Sequence, residues 1–370
     1  MVEAQTYIEQ QILSGEVPTD PDGLRDAYLG QLYDRVQRVA LSGIDPEAVS
    51  DAEARLNLGA VYTALQTLTR EECDHLDREN CLPEARQRSE QRRSALAQLD
   101  RHRLLVLLGD PGSGKSTFVN FVALCMAGEG LGLQPNLARL REPLPSAAEE
   151  DDKQAPQPWS HGALLPVRVV LRDFAARGLP RVGERARAKH LWAFIAAELE
   201  AAALGDYEPY LAQHLQREGG MVLLDGLDEV PEADQRREQI KQAVEEFAAT
   251  FRKCHFLVTS RTYAYQQQAW RLGTFEETVL APFGEEQIRR FVDRWYAHIA
   301  QLRDLSADEA QGRAVLLQRA IFAGERLRAL AERPLLLTLM ASLHAWRGGS
   351  LPEKREALYA GRRLTAREIV

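Results

Sequence analysis

An α/β fold is predicted by three apolar stretches of this chain: a parallel sheet flanked by helices, with a helical segment before it and a helical domain after it. Leu104–Leu108, Met221–Leu224 and Phe256–Val258 are each long enough for a strand, and each is closed by small or polar residues. Uninterrupted apolar runs of this length mark strands buried on both faces, as in a parallel sheet. In such sheets the ligand lies outside the carboxyl ends of the strands, and here those ends carry Gly-rich, acidic and Arg-containing sequences.

The first strand runs into Gly109, Asp110, Pro111, Gly112, Ser113, Gly114, Lys115, Ser116 and Thr117, a complete G-x-x-x-x-G-K-[ST] phosphate loop. Its glycines let successive backbone N–H groups turn inward around phosphates, and the following helix adds the positive end of its dipole. Apolar residues at helical spacing from Thr117 to Met126 supply that helix. The implied ligand is a nucleoside triphosphate, with Lys115 on the β and γ phosphates and the Ser116 hydroxyl on Mg²⁺.

The second strand, Met221–Asp225, ends in an acid placed to hold the Mg²⁺ shell. Gly226 follows, so nothing bulky crowds the metal. Asp228 and Glu229 come next and are candidates to orient or deprotonate an attacking water, a task for a carboxylate near the metal but not on it. The third strand ends in Thr259, Ser260 and Arg261. An arginine at this edge can read the γ-phosphate, or it can pair with a surface acid.

These motifs, in this order, resemble the NACHT NTPases, a branch of the signal-transducing STAND ATPases. The specific match is Leu223–Glu229 (LLDGLDE), where a small residue follows the metal-binding Asp and two further acids come one residue later. Ordinary AAA+ ATPases put Glu directly after that Asp. Leu164–Ala175, Val258–Arg261 and Arg333–Ala341 look like the family's second strand, sensor strand and first helical domain. Ala27–Leu29 through Leu41–Asp45 is similar to the stretch preceding the domain in bacterial members. The resemblance implies that Pro334 packs on the adenine; a proline that simply opens a buried helix fits the same position. No guanine-reading Asn/Thr-Lys-x-Asp run occurs, which favours ATP and ADP over GTP.

Composition agrees with this reading. A chain of 370 residues is long enough for two or three domains and a large core. A net charge of −8 gives no electrostatic case for nucleic acid or an anionic membrane. Cys73, Cys81, Cys125 and Cys254 lack metal-ligand spacing and read as reduced thiols of a cytoplasmic protein. Neither a signal peptide nor an apolar run long enough for a bilayer is visible. The histidines form no ligand set, and His255 and His344 read as packed or surface residues.

Three regions flank these motifs. Residues 1–88 read as a helical adaptor or packing segment with no catalytic constellation. Tyr28, Leu29, Leu32, Tyr33, Val36 and Val39 stand at amphipathic spacing, and turns at Asp20–Gly23 and Gly43–Pro46 divide short helices. Arg86, Arg88, Arg92 and Arg93, interleaved with Glu84 and Glu90, read as a solvated face and not as a nucleic-acid site. Pro135–Gly162, proline-rich and carrying the acidic run Glu149–Asp152, reads as a mobile surface insertion. Residues 89–282 form the expected nucleotide-binding domain. Beyond Pro282, Glu285–Tyr296 opens a helical domain over 283–370, which is incomplete by comparison with the family. Relatives continue into a winged-helix domain that covers bound ADP, whereas Ala360–Val370 is a short Arg-rich tail. Without that cover, fast ADP exchange and weak or unregulated assembly are expected.

The expected function is Mg²⁺-dependent ATP binding with slow hydrolysis, used as a conformational switch. The resemblance implies self-association in the ATP state, an unidentified protein trigger or effector, and prokaryotic antiphage defence. Two alternatives stand: a non-hydrolysing nucleotide-binding scaffold, which would tolerate loss of the acids, and a metabolic phosphotransferase, which would need an acceptor pocket and a lid.

Overall fold

The computed structural model describes residues 20–37, 57–68, 92–145, 155–231, 235–266 and 270–346. Helix α1 (Pro21–Val36) starts where a turn is expected from the sequence. The Asp20 side chain accepts from Asp22 N at 3.1 Å and Pro21 occupies the first turn, so this is a helix cap. Leu24, Ala27, Leu29, Leu32, Tyr33 and Val36 are buried along α1, and Tyr28 donates to the Pro166 carbonyl. Val39 lies outside the described residues, as does the Gly43–Pro46 break.

A short helix α2 (Leu58–Val61) follows, capped by Asn57. The chain then departs from a purely helical segment: β1 (Gln66–Thr67) pairs antiparallel with β2 (Arg93–Ser94). Only long-range pairing makes this a strand. Leu68 N donates to Val279 O, and Ala281 N donates to Gln66 O. Of the arginine cluster, only Arg92 and Arg93 fall within the described residues. Ser94 caps α3 (Ala95–Arg101), which leads into the sheet.

The sheet has five parallel strands in the order β4-β5-β6-β3-β7, confirming the α/β class. Strand β3 (Leu104–Leu108) is followed by α4 (Lys115–Leu131). Every residue of α4 from Phe118 to Gly128 is buried except Asn120, because the sheet covers one side and α1 packs on the other.

Around the short α5 (Leu137–Leu140), the described residues of Pro135–Gly162 are more ordered than the composition suggests. Gln157 and Trp159 are buried; Gln157 N donates to Arg141 O, and Trp159 Nε1 donates to Gly162 O at 2.7 Å. Proline content signals irregular backbone, and here that backbone is tied down by side chains from both flanks. Glu149–Asp152 lie outside the described residues.

The remaining units are β4 (Pro166–Val170), α6 (Leu171–Arg177), α7 (Ala188–Ala201), α8 (Glu208–Arg217), β5 (Met221–Asp225), α9 (Arg236–Thr250), β6 (His255–Ser260), α10 (Thr262–Gln266) and β7 (Glu276–Val279). Register sets Val170 beside Asp225 and Leu108 beside Ser260, so the carboxyl ends converge on one edge. After β7 come α11 (Glu285–Arg303), α12 (Ala307–Ala323), α13 (Glu325–Ala331) and α14 (Pro334–Trp346). Cys125 and Cys254 are buried free thiols, while Cys73 and Cys81 lie outside the described residues. His344 is buried against the Tyr296 hydroxyl. Among the described residues, no helix is long and apolar enough to cross a membrane.

Candidate functional site

The phosphate loop is positioned by its two neighbours. Gly109 is buried and its N–H donates to Ser260 O at 3.3 Å, which ties the loop to β6. Gly112 (φ +79°) and Gly114 (φ +96°) lie in the left-handed region, where a side chain is strained; this is why the turn needs them. Lys115 begins α4 and its ammonium donates to Gly109 O at 2.6 Å and Asp110 O at 3.1 Å. Burial lowers its pKa, opposed in part by Asp228 and Asp225. Pro111, Gly112, Gly114, Lys115, Ser116 and Thr117 all line one cavity of about 360 Å³. Asp110 stands outside it, 4.0 Å from the Arg333 guanidinium. Ser113 is not among the lining residues, and its buried Oγ has no partner among the described residues.

Asp225 is only 6% exposed and is held from three sides. Ser116 Oγ donates to its Oδ1 at 3.0 Å and Thr259 Oγ1 donates to the same oxygen at 2.6 Å. Gly226 N in turn donates to Thr259 Oγ1 at 2.8 Å. On the other oxygen, Arg168 Nη2 lies 3.7 Å away; burial lowers the Arg168 pKa, while Asp225 acts against that shift. Ser116 and Asp225 therefore form one hydroxyl and carboxylate pair. That donor set suits Mg²⁺, which is bound through a few protein oxygens and completes its shell with phosphates and water. Among the described residues there is no group of three or more His, Cys, Asp and Glu that could hold a metal alone.

The two later acids are not equivalent. Both oxygens of Asp228 face Arg261: Oδ2 lies 2.8 Å from Nε, and Oδ1 accepts from the Arg261 main-chain N at 3.0 Å. Glu229 meets Arg172 Nη1 at 3.4 Å. Arg261 lines the cavity and pairs with an acid, the buried Asp228.

The rest of the cavity lining is mostly apolar and comes from three separate stretches. Leu58, Val61, Tyr62 and Leu65 form one wall; Phe283, Phe291 and Trp295 form a second; Pro334, Leu335 and Thr338 form the third. Leu335 N donates to Gly112 O at 3.2 Å, so the start of α14 rests on the phosphate loop. Pro334 both opens a helix and lines the cavity. Three cavity residues carry buried polar atoms without a partner among the described residues, Thr63 Oγ1, Asn120 Oδ1 and Trp295 Nε1.

Sequence reasoning missed the first wall, because residues 57–65 sit in a segment read as lacking chemistry. Its signal is an uncharged run, Leu56–Leu68, between strongly charged flanks. The wall is held from outside. Arg139 and Arg294 both donate to Tyr62 O, Glu142 bridges those two guanidinium groups, and the Tyr62 ring stacks on Phe121 with centroids 3.6 Å apart.

The sequence pattern of the NACHT domain matches residues 103–299, which is more than half of the chain. The chain belongs to the NACHT-domain family. The matched span runs from the start of β3 through most of α11, so it includes the phosphate loop, Asp225, Arg261 and one apolar wall. NACHT domains are phosphate-loop NTPases, and nucleotide binding is the activity this membership carries. Among solved structures, Caenorhabditis elegans PCH-2 is similar with TM-score 0.35 and 10% identity, over 82% of this chain and 74% of that one. A Thermotoga maritima RuvB variant is similar with TM-score 0.26 and 11% identity, over 71% and 61% respectively. No protein of curated function matches the chain.

Proposed function

We propose that this NACHT protein binds ATP and ADP with Mg²⁺, hydrolyses ATP slowly, and uses the difference between the two states to control self-association and signalling. The observation that carries the reading is the cavity lined both by the phosphate loop and by Pro334 and Leu335 of the helical domain. One bound nucleotide would touch both parts.

The phosphates would lie along Gly112–Thr117, where backbone N–H groups, the α4 dipole and Lys115 face them. Ser116 and Asp225 would hold Mg²⁺, which when bound neutralises phosphate charge. Arg261 offers a guanidinium where the γ-phosphate ends. Asp228 and Glu229 are the acids for water, and Pro334 is the apolar face for the adenine. The Leu335 N to Gly112 O bond makes the helical domain sensitive to the loop, which is the physical requirement of a switch. A role in antiphage signalling follows from the bacterial members that the chain resembles, and the trigger and effector would be proteins. Mass spectrometry of nucleotide co-purifying with the native protein tests the reading. Bound ADP supports a resting switch, and nucleotide-free protein that fails to bind ADP or ATP overturns it.

A further inference from the structure

We propose that Asp228 and Glu229 divide their work: Asp228 is a positioning residue that aims Arg261, and Glu229 is the acid that handles the attacking water. This rests on the cavity being an ATP site.

The two carboxylates sit next to each other in the chain but in different surroundings. The Asp228 side chain is 7% exposed, and each of its oxygens is engaged by Arg261, one by Nε and one by the main-chain N–H. Its own backbone is pinned as well. Arg237 donates to Asp228 O at 3.1 Å and to Val230 O at 2.8 Å. A carboxylate that took a proton from water here would leave the Arg261 guanidinium without its counter-charge, at the moment when that guanidinium is needed by the phosphate. Breaking such a pair is costly.

The ion pair with Asp228 draws the Nε side of the guanidinium toward that carboxylate. The hydrogen bond given to Arg261 among the described residues is that of its main-chain N, so both terminal nitrogens remain for an anion while Nε lies against Asp228. Asp228 therefore aims Arg261 without competing for it.

Glu229 is 43% exposed and keeps one loose contact, to Arg172, whose own side chain is 62% exposed. Its side chain folds back over Gly226: a Cβ on Gly226 would lie 3.3 Å from the Glu229 carboxyl carbon. The small residue after the metal acid thus leaves room for Glu229 beside Asp225, and its lone pairs remain open to water.

The test measures ADP and a non-hydrolysable ATP analogue by calorimetry in Mg²⁺ buffer, and phosphate release separately, for the full chain and its variants. Asp228→Asn and Arg261→Ala should each lower the ratio of triphosphate to diphosphate affinity by about 3- to 10-fold, and the double variant should lose no more than either alone. Glu229→Gln should keep the wild-type ratio and slow phosphate release by about 100-fold. Arg261→Lys keeps the main-chain bond and the charge but lacks Nε; it covers the case in which Asp228→Asn does not fold, and its ratio should also fall. A wild-type ratio in Asp228→Asn or in Arg261→Lys overturns the proposal, as does a shifted ratio in Glu229→Gln. Failure of the underlying reading looks different: wild type and Lys115→Ala would bind the analogue equally.

Discussion

The polar and the apolar lining of the phosphate-loop cavity are built in opposite ways. Each polar candidate group lies within a few residues of the strand end that positions it: Gly109–Thr117 after β3, Asp225–Glu229 at the end of β5, Thr259–Arg261 at the end of β6. The apolar walls come from residues 58–65, 283–295 and 334–338, and no one of them makes a pocket by itself. Chemistry that depends on a strand–turn geometry can be written locally. A surface for a flat apolar ring needs distant segments held together, and its strength therefore depends on the contacts behind it.

The comparison makes different predictions for each lining, the largest first. Lys115→Ala should weaken ATP binding by about 100-fold or more, since contacts to a charged group are worth roughly 1.5–3 kcal/mol each and the ammonium makes several. Calorimetry should show that loss while the melting temperature stays near wild type; unchanged affinity would place the phosphates elsewhere. Tyr62→Ala removes one wall and its stack on Phe121, and should weaken ADP and ATP together by about 10-fold. If the ratio of the two affinities shifted instead, the apolar walls would not be independent of the polar groups.

Glu142→Gln acts from behind the wall. It leaves Arg139 and Arg294 as adjacent cations with no carboxylate between them, and should cost about 1–2 kcal/mol of stability after allowance for partial exposure. Thermal unfolding should show a lower midpoint, with the phosphate contacts intact. A variant as stable as wild type would show that the wall does not depend on this bridge.

A third region serves as a control remote from both linings. His255 opens β6 at the opposite edge of the sheet, beside His161, with ring centroids 4.1 Å apart. Burial, helped by His161 and Arg103 and opposed by Asp100, pushes its pKa from 6.5 down to about 4. Protonation is therefore harder in the folded chain than in the unfolded one. Its contribution to stability is present above about pH 6.5 and is lost as pH falls toward 4. His255→Gln should flatten the dependence of melting temperature on pH across that window and leave nucleotide affinity at neutral pH unchanged.

Individual residues show where sequence reading stops. Asp20 and Pro21 carry a helix start, but a turn and a cap share that vocabulary, and only the burial of the following face separates them. Trp159 and Gln157 sit in proline-rich chain that looks unstructured until Glu142 and Gly162 supply partners. Gln66–Thr67 has no strand pattern of its own and is a strand because Arg93–Ser94 comes to it.

By itself, the sequence determined the parallel sheet, the phosphate loop, the acid that ends β5 and the edge on which they meet, because a strand followed by a turn places its end groups through local backbone geometry. The tertiary structure alone decided that an uncharged N-terminal stretch lines the cavity and that α14 rests on the loop. It also decided that Asp228 is engaged by Arg261 while Glu229 stays open. Each of these depends on which distant side chain arrives next to it, and side-chain pairing across a folded core leaves no periodic trace in the chain.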